Sequence, residues 1–207
     1  EGKMSSRTGK VVTAESLIER VKEMVRQKAV DKNLDDATVE VIAIGAIKYS
    51  ILKQSIGSDI IFDFEKSISF EGDSGPYLQY SYVRAVSVLA KAKVEKIKGD
   101  TNLPMTPIKK GLVLGQKPRL AYESTNLEKM MLYFPEAVEK AGKEYEPHII
   151  TLYLTELARE FNNYYANNKI VDKANEFSPY KVALTQAFSI IMKNGLWLLG
   201  VSLPTQM

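Results

Sequence analysis

The sequence predicts an all-α fold in which a mostly helical linker region precedes a helical bundle. Apolar residues recur at intervals of three and four through most of the 207 residues, which is the period of an α-helix with one buried face. Ser, Thr or Asp stands before several of these stretches, where a side chain can cap the first turn. Hydrophobic residues make up 45% of the chain and charged residues 26%, as is ordinary for a globular protein.

The linker region begins with two helices. Thr13 is the predicted N-cap of a helix that runs to about Arg26, and a second helix begins near Asp35 and reaches Tyr49. Gly45 lies inside the second helix, where glycine lowers helix propensity by about 1 kcal/mol relative to alanine. A glycine at such a position indicates close packing against another element.

A short extended segment and two loops come next. Residues 60–64 are rich in Ile and Phe and predict an extended segment, whereas Gly57-Ser58 and residues 72–76 are loop-like. We therefore place a domain boundary near Gly75-Pro76.

The bundle is predicted to contain four or five helices. The first reaches about Ile97, and residues 99–118 form an exposed connection because they are rich in Gly, Pro, Lys and Thr. Its apolar stripe has the 4-3-4-3 spacing of a buried helix face and consists of Leu78, Tyr82, Ala85, Leu89 and Ala92.

Three further stretches predict the remaining helices. Thr125 to Glu128 fits a capping box that opens a helix stopping before Pro135. Ser178-Pro179 supplies an N-cap and a first turn for the last helix, which ends near Gly200. Between them, one broad apolar face is formed by Ile149, Tyr153, Leu157, Phe161, Tyr164 and Tyr165.

Composition excludes several kinds of chemistry. The chain has no cysteine and one histidine, His148, so we predict neither a disulfide nor a metal site. It has no run of about 18 apolar residues and no recognisable signal peptide, which predicts a cytoplasmic protein without a membrane partner. The net charge of +3 is compatible with a polyanionic partner and does not by itself indicate one.

The first ten residues form a basic run rich in Gly and Ser. Glycines allow such a loop to close, and Lys and Arg can offset phosphate charge. A P-loop is excluded because Met4 stands where its first glycine belongs and Val11 follows Lys10. Spacing alone leaves an ordinary unordered tail as the commoner explanation.

Four stretches in order resemble the arginyl-tRNA synthetases, a class I aminoacyl-tRNA synthetase family. The first resembles the family's second signature loop, with Ser6 in place of the usual second lysine. The chain end, Leu203 to Met207, is also similar to the family's usual C-terminus. The four stretches are Lys3-Met4-Ser5-Ser6-Arg7, Phe70 to Tyr80 (FEGDSGPYLQY), Phe161 to Tyr165 (FNNYY) and Lys193 to Gly200 (KNGLWLLG).

This resemblance implies a C-terminal part of such an enzyme, with a bundle of the class I synthetase anticodon-binding type. Residues 1–10 would end the catalytic signature loop, 11–75 would be a linker that contacts the tRNA stem, and 76–207 would bind the anticodon. The intact enzyme would ligate arginine to its tRNA using ATP with Mg²⁺. The chain alone would need no cofactor, be catalytically inactive and bind the arginine tRNA anticodon stem-loop. The loop residues that would act in catalysis are Lys3, Met4, Ser5, Ser6 and Arg7.

Candidate RNA-binding residues cluster after the Gly-Pro turn. Tyr80 and Arg84 are one helical turn apart, so the ring could stack on an unpaired base while the cation meets phosphate. The resemblance assigns anticodon contacts to both, although Ser81-Tyr82 stands between them where the family usually has Ala-His. The full set that it implies is Tyr77, Gln79, Tyr80, Arg84, Asn162, Tyr165 and Met207.

Two further expectations concern packing and partners. Trp197 is predicted to pack in the core, because large aromatic residues dominate burial. We expect a monomer whose partners are arginine tRNA and its own catalytic domain, with no DNA partner. The alternative function is a helical protein-interaction module of a larger assembly, which would expose a large apolar patch. A free-standing nucleotide-dependent ligase would need a phosphate-binding strand, loop and helix, which the sequence does not provide.

Overall fold

The computed structural model describes residues 13–29, 34–102 and 125–207, and these form eight α-helices and no strand. The all-α prediction is therefore confirmed. No helix in these ranges has the length and apolar character needed to cross a membrane. In chain order the helices are α1 (Ala14–Lys28), α2 (Asp36–Leu52), α3 (Phe64–Ser67), α4 (Gly75–Val94), α5 (Asn126–Leu132), α6 (Phe134–Glu144), α7 (His148–Asn167) and α8 (Ser178–Leu198).

The predicted cap of α1 is present, and Asp35, where the second helix was expected to begin, caps α2. Thr13 Oγ1 accepts a hydrogen bond from the Ser16 amide at 3.2 Å, and Asp35 Oδ1 accepts one from the Thr38 amide at 2.7 Å. Hydrogen bonding to Thr38 lowers the pKa of the Asp35 carboxyl from its ordinary value. These caps satisfy amide groups that the first turn leaves without a helical partner.

The segment 60–64 does not extend as far as its sequence suggested. Residues 60–63 are irregular, and Phe64 begins the short helix α3. Asp63 caps that helix, because its Oδ1 accepts from the Lys66 amide at 3.1 Å. The cap ends the extended stretch before Phe64.

Helix α4 begins at the predicted boundary and presents the predicted stripe. Ser74 caps it by accepting from the Tyr77 amide at 3.1 Å. The helix ends at Val94, short of the predicted Ile97, because Lys96 takes a left-handed conformation with φ of 59°. Of the stripe, the residues that are fully buried are Leu78, Ala85 and Ala92, and those partly buried against the same core are Tyr82 and Leu89.

The capping box at Thr125 and Glu128 is confirmed, and α5 ends at Leu132 as expected. Pro135 then lies in the first turn of a further helix, α6, instead of marking only a helix end, because a proline in the first turn loses no helical amide bond. Helices α4 to α8 form the bundle. Phe161 of α7 lies at its centre, with its ring stacked on Phe188 of α8 at a centroid distance of 3.9 Å.

Ser178 does not cap α8, contrary to the sequence prediction. It is the first residue of the helix, and its side chain is buried. Its hydroxyl donates to the Ile170 carbonyl at 2.6 Å and accepts from the Asp172 amide at 3.0 Å. These bonds tie the α7–α8 connection to the start of α8.

Two glycines allow α2 and α4 to touch. A Cβ atom at Gly75 would lie 2.3 Å from the Gly45 carbonyl oxygen, and a Cβ atom at Gly45 would lie 2.6 Å from Gln79 Nε2. Real Cβ atoms essentially never come this close to other heavy atoms. The close packing predicted at Gly45 is thus confirmed, with α4 as the element that it contacts.

Trp197 is exposed, which corrects the prediction that it packs in the core. Its exposed fraction is 75%, whereas the preceding Leu196 is 1% exposed. Because successive helix residues are about 100° apart around the axis, the turn that buries Leu196 directs Trp197 outward. With Leu198 and residues of α6, Trp197 lines an apolar pocket of about 510 Å³.

We predict that Gly75→Ala lowers the free energy of unfolding by about 2 kcal/mol, because backbone must move away from the added methyl group. Gly142→Ala is the matched control. Nothing lies within 4 Å of a Cβ atom at that helical position, so we expect no loss and a gain of up to about 1 kcal/mol. Urea denaturation of both variants measures the difference. Equal stabilities would contradict the close contact between α2 and α4.

We further predict that Trp197, the single tryptophan of the chain, emits like a solvated indole and is readily quenched by acrylamide. Trp197→Ala should change the free energy of unfolding by less than about 0.5 kcal/mol, as is usual for surface substitutions. Blue-shifted emission that resists quenching would show a buried indole and refute this placement.

Candidate nucleic-acid interface

Two helices bring five of the candidate residues onto one surface. Tyr77, Tyr80 and Arg84 lie on α4 at intervals of three and four, so they share a face of that helix. Asn162 and Tyr165, three residues apart on α7, face them. We call these five residues the tyrosine–arginine surface.

Arg84 occupies the centre of the tyrosine–arginine surface. Its Cζ atom lies 4.7 Å from the ring centroid of Tyr80 and 5.0 Å from that of Tyr165. Its Nη1 donates to Asn162 Oδ1, and Asn162 Nδ2 donates to Ser81 Oγ at 2.8 Å. A guanidinium over an aromatic face gains about 0.5–2 kcal/mol, so the two rings and the amide hold this cation in place.

This geometry changes how the two tyrosines could meet a base. A ring face that already holds a guanidinium cannot stack on a base at the same time. Tyr80 also has an edge-on neighbour, Phe70, at a centroid distance of 6.3 Å. An incoming base would therefore use the part of the Tyr80 ring that borders an adjacent pocket, or would displace Arg84 from one of the two rings.

A pocket of about 390 Å³ opens beside the tyrosine–arginine surface. Two of its residues, Phe70 and Glu71, are not among the predicted RNA-binding residues, although both belong to the run from Phe70 to Tyr80. The pocket lining consists of Phe70, Glu71, Tyr77, Tyr80, Arg84 and Asn162. Aromatic walls with amide, guanidinium and carboxylate groups can stack an unpaired base and bond its edge.

The loop that carries Glu71 is held by local hydrogen bonds and by an ion pair to α7. Ser69 Oγ donates to the Glu71 carbonyl at 2.8 Å and accepts from the Glu71 amide at 3.1 Å. Arg159 of α7 pairs with Asp73 at 3.2 Å. A hydrogen bond to Glu156, followed by the charge of that carboxylate, raises the pKa of Arg159 above its ordinary value. The loop is thus held against α7 next to the pocket.

Gln79 does not lie on this surface, although the resemblance places it among the RNA-binding candidates. Its side chain is fully buried, and Nε2 donates to the Val41 carbonyl at 3.1 Å and the Ser202 carbonyl at 2.8 Å. Helix geometry explains the difference, because Gln79 lies on the side of α4 that packs against α2. Its observed contacts join α2, α4 and the C-terminal tail.

The remaining predicted residues lie elsewhere. Met207 is partly buried against the apolar cluster of α1, α2 and α3, which includes Val21, Ile42 and Ile68. Lys3, Met4, Ser5, Ser6 and Arg7 are outside the residues that the structure describes. Within the described ranges, no group of three or more His, Asp or Glu side chains could hold a metal ion.

Comparison with known proteins identifies the domain that carries this surface. The family described as the DALR anticodon binding domain matches residues 78–207, which is more than half of the chain. This chain belongs to that family. The matched range contains Arg84 with both flanking tyrosines and Asn162, and it begins inside α4.

Similar proteins cover the whole chain. An arginine–tRNA ligase from Halothermothrix orenii is 34% identical over 100% of this chain and 35% of its own length. One from Thermococcus kodakarensis is 31% identical over 100% of this chain and 32% of its own length. The chain thus spans about a third of the length of these curated relatives.

Solved structures agree with the fold of this DALR domain protein. An arginyl-tRNA synthetase from Thermus thermophilus superposes with a TM-score of 0.76 at 29% identity, covering 100% of this chain and 34% of the other. The enzyme from Plasmodium falciparum gives 0.73 at 24% identity, covering 95% and 34%, and supports the fold alone. In both comparisons, this all-α chain matches about a third of a longer chain.

We predict that Gln79→Glu destabilises the protein more than Gln79→Ala. The alanine variant loses two hydrogen bonds, which costs about 1–3 kcal/mol, whereas the glutamate variant also places an acceptor-only carboxylate against two carbonyl oxygens. Thermal denaturation at neutral pH compares the two. Wild-type stability in both variants would contradict the buried position of Gln79 and would indicate that its side chain is exposed.

Proposed function

We propose that this chain reads the anticodon loop of an arginine tRNA, as the C-terminal part of an arginine–tRNA ligase. One observation carries the proposal: within the anticodon-binding family match, Arg84 is held between Tyr80 and Tyr165 beside an aromatic pocket. Proteins recognise single-stranded RNA loops by stacking unpaired bases on aromatic or guanidinium planes and bonding their edges. That the amino acid is arginine is inferred from the names of the similar proteins.

The groups around the pocket can select an RNA sequence as well as attract RNA phosphate. Phosphate contacts position an RNA, whereas contacts to base edges select its sequence. Asn162 is an amide, Glu71 is an acceptor and Arg84 is a donor, and all three line one pocket large enough for a base. A pocket with both donors and acceptors can discriminate between bases, which a purely basic patch cannot do.

In the longer protein, catalysis would depend on residues outside this chain together with the signature loop at its start. Arginine would be activated with ATP and Mg²⁺ and then transferred to the tRNA, and Lys3 to Arg7 would stabilise phosphate charge. The proposed division is residues 1–10 for the end of the signature loop, 11–75 for the linker and 76–207 for anticodon binding. We propose that the protein acts in the cytoplasm as a monomer and that this chain alone does not catalyse ligation.

One observation favours the alternative role as a protein-interaction module. The pocket beside Trp197 is apolar and lies on α6 and α8. Exposed apolar surface of this kind can bind another protein. Trp197→Ala therefore belongs in the test below, because a surface used only for protein contacts should leave RNA binding unchanged.

We predict that the chain binds an arginine tRNA anticodon stem-loop and discriminates against a loop whose middle C is changed. Tyr80→Ala and Tyr165→Ala should each weaken binding about tenfold or more, since stacking of one base contributes about 1–3 kcal/mol. Fluorescence anisotropy at two salt concentrations separates this effect from general attraction to phosphate.

Tyr145→Ala is the matched control for the tyrosine variants. Tyr145 is 81% exposed and precedes α7, whereas Asn162 lies about 20 Å farther along that helix by the rise per residue. We expect wild-type RNA affinity for Tyr145→Ala and for Trp197→Ala. Binding that depends only on salt and ignores the loop sequence would refute the anticodon-reading role.

A further inference from the structure

A buried hydroxyl group lies directly beneath the tyrosine–arginine surface. Ser81 is fully buried on α4, and its Oγ donates to the Tyr77 carbonyl at 2.8 Å. The same oxygen accepts a hydrogen bond from Asn162 Nδ2, also at 2.8 Å. Ser81 thus lies beneath the surface and bonds to both of the helices that form it, α4 and α7.

The bonds form a chain with one direction. A serine hydroxyl has one proton, and here that proton goes to the Tyr77 carbonyl, which leaves Ser81 Oγ to accept. Asn162 must then turn its NH₂ group towards Ser81 and its oxygen towards Arg84. A guanidinium has only donors, so the opposite amide orientation would set NH₂ against N–H and lose the bond to Arg84.

We propose that Ser81 is a positioning residue for RNA recognition. It fixes the Asn162 amide so that Asn162 holds the Arg84 guanidinium between Tyr80 and Tyr165 before RNA arrives. The inference rests on the proposed function, because it concerns how that surface is prepared for a base. Groups held in advance lose less conformational freedom on binding.

The neighbouring carboxylate explains why Arg84 needs to be held. Glu71 lines the same pocket as Arg84. A guanidinium released from Asn162 would have this carboxylate within the pocket as an alternative partner, and pairing would withdraw the cation from an incoming RNA. Ser81 thereby keeps the donor and the acceptor available as separate groups.

The test is a double-mutant cycle on anticodon stem-loop binding. Loss of one hydrogen bond predicts that Ser81→Ala weakens binding about fivefold. Ser81→Ala should have no further effect in an Asn162→Ala background, because it acts through that amide. Ser87→Ala is the matched control, since Ser87 lies on the same helix, is exposed and makes the same bond to the carbonyl four residues earlier, at 2.9 Å. We expect it to bind RNA like the wild type.

A second measurement does not depend on RNA. In the free protein, the Arg84 side-chain NMR signals should be shifted upfield by the two tyrosine rings and should move towards solvent values in Ser81→Ala. Asn162→Asp should restore the upfield shift in the Ser81→Ala background. Either carboxylate oxygen can accept the hydrogen bond from Arg84, so the side chain at position 162 has no orientation that loses this bond. Unchanged Arg84 signals in Ser81→Ala would overturn the inference.

The two proposals fail in different ways. If the wild type binds no stem-loop, the proposed function fails, and the Arg84 signals still decide whether Ser81 positions that side chain. If the wild type discriminates between loops and Tyr80→Ala abolishes binding while Ser81→Ala binds normally, only the role of Ser81 is refuted. Additive losses in Ser81→Ala and Asn162→Ala would also refute it, since independent groups add.

Discussion

The contact between α2 and α4 is the constraint on which the other parts of this structure depend. Gly75 approaches the Gly45 carbonyl so closely that it has no room for a side chain, and a Cβ atom at Gly45 would collide with the Gln79 amide. Gln79 fills the space beside this contact and donates to carbonyls of α2 and of the C-terminal tail. One buried amide therefore joins α2, α4 and the C-terminal tail. Because interiors are close-packed, such a contact sets the position of α4 within narrow limits.

The position of α4 in turn determines the candidate site. The side of the helix that carries Leu78 and Gln79 is buried, so Tyr80 and Arg84 are directed towards the pocket side. Helix α7 supplies the facing residues, since Phe161 enters the core and Asn162 beside it reaches α4. The site is thus a product of two packed helices, and rigid elements of this kind hold functional groups more accurately than loops do.

Polar groups within the site have fixed partners before any ligand binds. The direction of the bonds from Asn162 through Ser81 to the Tyr77 carbonyl leaves one orientation for each group. Arg84 is consequently held between the Tyr80 and Tyr165 rings and is not a freely moving surface cation. A surface of this type differs from a general basic patch, because its charged and polar groups are held in fixed positions and orientations.

The sequence by itself determined the helices and their caps, as at Thr13 and Thr125, because helix period and first-turn hydrogen bonding are local properties. It also indicated which motifs carry the family resemblance. Only the tertiary structure decided that Gln79 is buried, that Trp197 is exposed and that Arg84 lies between two rings. Those outcomes depend on which side of a helix meets a neighbour distant in sequence, and neither period nor propensity specifies that neighbour.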